Sequence, residues 1–425
     1  MNHKYRDVAE THTLNKTSNT ILGVTGVFGK KLVTMRRDSE CVMDGSQNII
    51  VSGSEDRLTE FKKTFIQQAV SRKESVIVDA EYMEEVETLL EIARKSNYKT
   101  HVLNFIEPKQ SDGWNFVKAI RGDGAQKIAE LLARTILHNV EWEDVSKDGC
   151  EALLAALLMR VALDEGDKFP KKNLYEVVRI LIADTDDLDT IFAPANLSRK
   201  ELPCLSPYFR YQSLPEKVKV RIVKRLAAFM TYSKVLDENF IQIPSGNEID
   251  MTLPAKEPRL YIVAYPGYNY LYHSYVAAFM ALASSELTDC RTHTTHVNFV
   301  LSSLHAYDGI RDWTNIIQNG NLSGVSYVME MTVLDQLRVI FPMTWKNILS
   351  LFPTLLMLGY RYNFVAADTE YNRDTVSAIY EIYQHGYNGT HMEYDELFDP
   401  GKNKCRVWFK NHTPLEMKLY HSEVK

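Results

Sequence analysis

The apolar positions along this chain change their period from one region to the next. From about residue 21 to 120, short runs of aliphatic and β-branched residues alternate with stretches of helical periodicity. The runs predict strands over 31–35, 48–52, 75–79 and 100–106, with helices over 58–70 and 82–96 between the later ones. Val86, Leu89, Leu90 and Ile92 share one face of the second helix. Such alternation implies a parallel sheet covered on both sides. Between 121 and 239 the β-like runs stop, and helical periodicity appears over 126–137, 151–163, 174–183 and 216–236. From 259 the alternation returns, with strands expected over 259–264, 296–301, 325–330 and 354–358 and helices over 272–284 and 375–383. A last β-like run covers 405–409. The expected organisation is a flexible tail over 1–20, an α/β domain assembled from 21–120 and 240–425, and an inserted all-α domain over 121–239.

Composition adds little to this picture except where charge is uneven. Apolar and charged fractions, 45% and 24% of 425 residues, are ordinary for a globular chain with a sizeable core. The 49 Lys and Arg against 55 Asp and Glu leave a net charge of −6, so any nucleic-acid surface has to be a local patch. The helical stretch is polarised. Residues 141–167 are rich in carboxylates, joined by Asp184, Asp186, Asp187 and Asp189. Lys217, Lys219, Arg221, Lys224 and Arg225 crowd one expected helix. That cluster is either a solvated face or a docking surface for an acidic partner or DNA. The cysteines, Cys41, Cys150, Cys204, Cys290 and Cys405, are odd in number and form no CxxC pair, which points to free thiols. The first twenty residues lack the apolar core of a signal peptide. The best apolar run, 348–359, is short and contains Pro353, so a buried strand is expected there and no membrane insertion.

Several segments, read in order, carry a family pattern. They are ESVIVDAEYMEEVETLL with YKTHVLNFIEPKQSDGWNF, Trp142 ahead of a long helix, KFPKKNLYEVVRIL, PRLYIVAYPGYNYLYHSYVAAFMALA, HVNFVLSSLHAYDGIRDWTNII and MEYDELFDPGKNKCRVWF. Over about 400 residues this order resembles the TraG/TraD class of conjugative type IV coupling proteins. The resemblance implies an α/β fold with a RecA-like, P-loop-NTPase-type sheet, helices on both faces and an inserted all-α domain. It also implies a cytoplasmic role at the inner side of the cell membrane. The implied partners are type IV secretion components, a relaxase complex or an active coupling protein, with DNA and self-association as further options.

The residues that such a motor needs are missing. A phosphate loop takes G-x-x-x-x-G-K-[ST], whose glycines let backbone N–H groups wrap the phosphates while the lysine reaches the outer ones. The matching stretch is IIVSGSEDRLT. Ser52 stands at the first glycine, with Gly53 beside it, Arg57 at the second and Leu58 at the lysine; only Thr59 survives. Glu55 and Asp56 fall where the phosphates would sit, and Arg57 is the one candidate substitute cation. The acid pair that holds magnesium and orients water is replaced by Ser302 and Ser303. An arginine-bearing turn is expected before the next strand; the segment QNGNLS puts Gln318 and Gly320 there. Glu330 takes the place of a sensor glutamine, and of the D-P-K-G turn only Asp79 remains. ATP and magnesium are the cofactors the resemblance implies, but this residue set predicts neither.

Three readings follow. The first is a non-catalytic coupling-protein-like component of a conjugative DNA-transfer system. The second is an active DNA-translocating ATPase with an atypical nucleotide site. The third is a stand-alone DNA- or protein-binding adaptor. Other constellations change little. His293, His296 and His305 lack the further ligands of a zinc site and read as loop and core histidines. Tyr261, Tyr265, Tyr268, Tyr270, Tyr272 and Tyr275 suit core packing better than base stacking. Lys402, Lys404, Arg406 and Lys410 read as a solubilising patch.

Overall fold

Strands made of unbroken apolar runs are buried on both faces, and this chain lines them up side by side. The computed structural model describes residues 20–25, 31–35, 47–138, 146–183, 188–232, 240–290, 293–310, 312–359, 370–383, 400, 404–410 and 414–420. Its strands are β1 (Thr20–Thr25), β2 (Lys31–Met35), β3 (Ile49–Gly53), β4 (Ser75–Ala80), β5 (Lys99–Asn104), β6 (Arg259–Ala264), β7 (Val297–Leu301), β8 (Val325–Met331), β9 (Thr354–Gly359), β10 (Cys405–Phe409) and β11 (Leu415–Leu419). They form one sheet in the order β2-β1-β11-β10-β9-β3-β8-β7-β4-β6-β5. The seven strands from β9 to β5 are parallel; β10, β11, β1 and β2 extend the sheet antiparallel.

Because side chains alternate across a strand, each strand feeds two cores. Ile49, Val51, Val76, Val78, Leu260, Ile262, Leu356 and Leu358 face one layer, formed with helices α1 (Glu55–Ser71) and α2 (Met83–Lys95). Ile50, Ile77, Tyr261, Val263, Phe299, Leu355 and Met357 face the other. That second layer contains the helices connecting β5 to β6, namely α3 (Ala125–Ile136), α4 (Lys147–Ala162), α5 (Leu174–Ala183), α6 (Leu205–Gln212) and α7 (Glu216–Tyr232). It also contains α8 (Tyr270–Asp289), α9 (Trp313–Leu322) and α10 (Glu370–Tyr383). The inserted helices thus share one continuous core with the sheet face.

Two helices in this layer are buried nearly all round. In α4 every residue from Ala152 to Val161 is buried, and Ser146 caps its start by accepting from the Gly149 amide at 3.1 Å. In α8 the run from Tyr275 to Ala283 is fully buried. Among the described residues no helix is long and apolar enough to cross a membrane.

The differences from the sequence reading are local. The expected tail over 1–20 lies outside the described residues except Thr20, which opens β1. Residues 233–236 of the last expected insertion helix, and Trp142, lie outside them too. Strands β1 and β11 carry weak signals. Gly23 interrupts β1, whose backbone approaches β11 so closely that an added Cβ would meet Met417 Sδ at 2.3 Å. Charged Glu416 and Lys418 punctuate β11.

Candidate functional site

In an open parallel sheet, chemistry gathers where strands end at their carboxyl edge. The neighbouring strands β3, β8, β7 and β4 end there with Ser52, Glu330, Ser302 and Asp79 respectively. Register places Val51 beside Glu330 and Leu301 beside Met329. Helix α1 leaves the end of β3 and runs past this row.

The connection from β3 to α1 is a single residue. The strand ends at Gly53, Ser54 stands at the N-cap position without a side-chain capping bond, and Glu55 begins the helix, three residues before the expected start at 58. Arg57 and Leu58 therefore sit in the first helical turn. The Ser54 amide donates to Gly359 O at 3.1 Å, and the Arg57 and Leu58 amides donate to Ser54 O at 3.0 and 2.9 Å. No looped run of free N–H groups exists here to wrap phosphates. Leu58 points into the core beneath α1. The Arg57 guanidinium donates to Lys404 O at 2.8 Å, tying α1 to β10. The Thr59 hydroxyl donates back to Glu55 O at 2.9 Å, a bond within the helix. Gly53 has a packing reason of its own, since a Cβ there would lie 2.6 Å from Leu358 Cβ on β9. The Ser52 hydroxyl is buried and donates to Thr332 O at 3.5 Å.

A side chain the sequence reading passed over reaches the strand ends. Lys62 lies on the buried face of α1, 3% exposed, in the apolar stripe of Leu58, Phe61, Phe65, Ile66 and Ala69. Its ammonium donates to Asp79 O at 2.7 Å and to the Glu85 carboxylate at the start of α2. Asp79 Oδ1 lies 3.6 Å away. Burial alone would lower the Lys62 pKa, but Glu85 and Asp79 together outweigh it and hold the lysine charged. A cation in an otherwise apolar stripe was the available sequence signal.

Asp79, 1% exposed, is saturated with donors. It accepts from the Ser302 amide at 2.9 and 3.0 Å, from the Ser303 amide at 3.3 Å, and from the Tyr307 hydroxyl. Ser302 Oγ donates to Glu330 Oε2 at 2.8 Å, while Glu330 Oε1 is buried without a hydrogen-bond partner. Burial, with Asp79 and Glu85 nearby, raises Glu330 to about 8, against the pull of Lys62 and the Ser302 hydroxyl. Burial and Asp79 likewise raise Glu81 to about 7, with Lys62 opposing. Burial followed by Asp79 pushes the Tyr307 and Tyr265 hydroxyls well above their usual range. The arrangement is a buried cluster of one lysine, two carboxylates paired with it, and a third carboxyl held protonated at neutral pH.

The structure brings Asp79, Ser302, Ser303 and Glu330 together, with Ser52 at the end of the adjoining strand. It turns Leu58, Thr59 and Arg57 to other tasks. Gln318 and Gly320 require a correction. They lie inside α9 rather than in a turn, with Gln318 exposed and Gly320 held against the Tyr327 ring, where an added Cβ would lie 2.6 Å from the hydroxyl oxygen. The chain actually turns at Ser323 and at Gly324, whose φ is +76°.

The cationic residues lie elsewhere, on α7. Lys217, Arg221, Lys224 and Arg225 are exposed; Lys219 leans back to Glu216 at 2.8 Å and Gln212 at 2.9 Å. Of the tyrosine-rich segment, Tyr261, Tyr265, Tyr272 and Tyr275 are core residues, while Tyr268 is 87% exposed. His293 and His296 bond Leu287 O at 2.7 Å and Ser326 Oγ at 2.9 Å.

Comparisons with known proteins rest on structure alone. No family model matches the chain. No curated protein matches its sequence. Among solved structures, the bacterial conjugative coupling protein TrwBΔN70 in complex with sulphate superposes with a TM-score of 0.65 at 14% identity, covering 98% of this chain and 92% of that one. TrwB solved with ADP and Mg2+ gives a TM-score of 0.64 at 12% identity, covering 98% and 94%. VirB4 of Thermoanaerobacter pseudethanolicus gives 0.60 at 10% identity, covering 96% and 98%. With the strand order and the helical insertion already described, these superpositions establish that the chain has the P-loop-NTPase-like α/β fold of the conjugative coupling protein TrwB, the fold its sequence resemblance implies.

Proposed function

We propose that this chain is a non-catalytic, coupling-protein-like component of a conjugative type IV secretion system. On this reading it works by docking partners rather than by hydrolysing ATP. The observation that carries the proposal is the short β3–α1 connection with a committed lysine beside it. Where a nucleotide-binding relative needs a wide loop and a free lysine, this chain has a one-residue connection and a lysine already bound by Asp79 and Glu85. Serines at 302 and 303 bring no charge for magnesium. Glu55 and Asp56 occupy the positive end of α1 and would repel a polyphosphate there. The residues present do not fit ATP and magnesium.

The docking role rests on the helical insertion, taken as a unit over 121–239, and on the cationic face of α7. Partners of the expected kind are secretion-channel components, a relaxase complex, an active coupling protein, DNA or further copies of this chain. The expected location is cytoplasmic, beside the inner face of the membrane. Calorimetric titration with MgADP and MgATP, run beside a turnover assay, tests the nucleotide claim. No saturable heat and no turnover are expected. Micromolar binding, with turnover abolished by Thr59→Ala, would establish the active-motor reading instead. Pull-down of the full chain with an intact coupling protein and relaxase tests the docking claim.

A further inference from the structure

The cations of α7 work against the helix that carries them. Lys217 and Lys219 stand in its first turn, where the helix dipole disfavours positive charge. Lys217 and Arg221, and Arg221 and Arg225, are like-charged pairs four residues apart, a spacing that destabilises a helix. Lys217, Arg221, Lys224 and Arg225 fall within an arc of about 100°, spread over about 12 Å of helix. Among the described residues none of the four makes an ion pair. A solvated helix gains more from alternating charges, so an uncompensated arc is best accounted for by an anionic partner.

Beside this arc runs a groove of about 410 Å³ between α5 and α7. Its walls include Leu181, Leu188, Val220, Val223 and Ala227. Val220, on the rim next to the cations, is 45% exposed. Asp189, also in the lining, accepts through Oδ1 from the Tyr208 hydroxyl at 2.7 Å and from Gln212. A trough with aliphatic walls, with Gln212, Glu216, Lys219 and Lys224 also in its lining and cations beside it, matches a helix that carries apolar residues on one face and carboxylates along the next.

We propose that the groove between α5 and α7 seats an acidic amphipathic helix of a partner protein, with its carboxylates laid over Lys217, Arg221, Lys224 and Arg225. This deepens the docking reading and rests on it. The probe is a labelled Leu/Glu peptide of about 20 residues, roughly 30 Å long as a helix, with leucines at i, i+3, i+4 and i+7. It is titrated into the full chain by fluorescence anisotropy, beside polyglutamate of equal length and a dT oligonucleotide of about 20 nucleotides. The peptide is expected to bind. The double variant Lys217→Glu/Arg221→Glu and the single variant Val220→Asp should each weaken it about tenfold or more. All three positions are exposed, and urea midpoints that do not fall report intact folding. Equal binding by polyglutamate, tighter binding by the oligonucleotide, no effect of Val220→Asp, or no peptide binding each overturns the proposal. If the peptide fails while secretion partners are still pulled down, the groove assignment falls and the docking reading stands.

Discussion

Replacing Glu330 by glutamine should make this protein more stable, by an amount that depends on pH. The glutamine keeps the shape of the side chain and can still bond the Ser302 hydroxyl, which meets Glu330 at 2.8 Å. What it removes is a titration. In the unfolded chain Glu330 loses its proton near the ordinary 4.5; in the fold burial holds it until about 8. Between those values the unfolded chain binds fewer protons than the folded one, so stability falls as pH rises. Each pH unit in that window costs about 1.4 kcal/mol, which amounts to about 3 kcal/mol near pH 7 and approaches about 5 kcal/mol above pH 8. Glutamine does not ionise in either state and escapes this cost. Urea titrations followed by far-UV circular dichroism from pH 4 to 9 measure the difference. The two proteins should nearly coincide at pH 4, diverge through neutrality and run parallel above pH 8. A gap independent of pH, or a glutamine variant less stable at pH 8, would refute the picture of a buried carboxyl kept protonated by its surroundings.

Further predictions concern the same elements and the insertion. Lys62→Met leaves Asp79 and Glu85 without their cation and should cost about 3–5 kcal/mol in urea unfolding at pH 8; a loss below about 1 kcal/mol would show that the lysine does not organise the site. Leu58→Lys, at the position that the sequence resemblance sets against the P-loop lysine, should yield no nucleotide binding in a calorimeter and should lower the urea midpoint, because the position faces the core beneath α1. In the insertion, Arg160 is buried between Asp164 at 3.2 Å and Glu201 at 2.9 Å. Arg160→Met should destabilise by about 3–5 kcal/mol, read from thermal or urea unfolding. Gly320→Ala pushes a methyl group into the Tyr327 ring and should lose about 1–3 kcal/mol on the same assay.

Amino-acid order by itself determined the architecture. Continuous apolar runs such as RLYIVA and TLLMLG announce strands buried on both faces. The break in those runs between β5 and β6 announces the helical insertion. That residues 52–59 hold no lysine and 302–303 no acid is equally local, visible without coordinates. Tertiary structure decided what stands at the strand ends. That Lys62 reaches Asp79 depends on how α1 crosses the strand ends, a contact spanning 17 positions; that Ser302 meets Glu330 depends on β7 lying beside β8, across 28. The length of the β3–α1 connection was misjudged because Arg57 and Leu58 suit a loop or a helix equally on local propensity, and only the tie to Lys404 and the core contacts of Leu58 select the helix. Propensity and periodicity act over a few residues, whereas the charge balance of a buried cluster is set by which strand ends the fold makes neighbours.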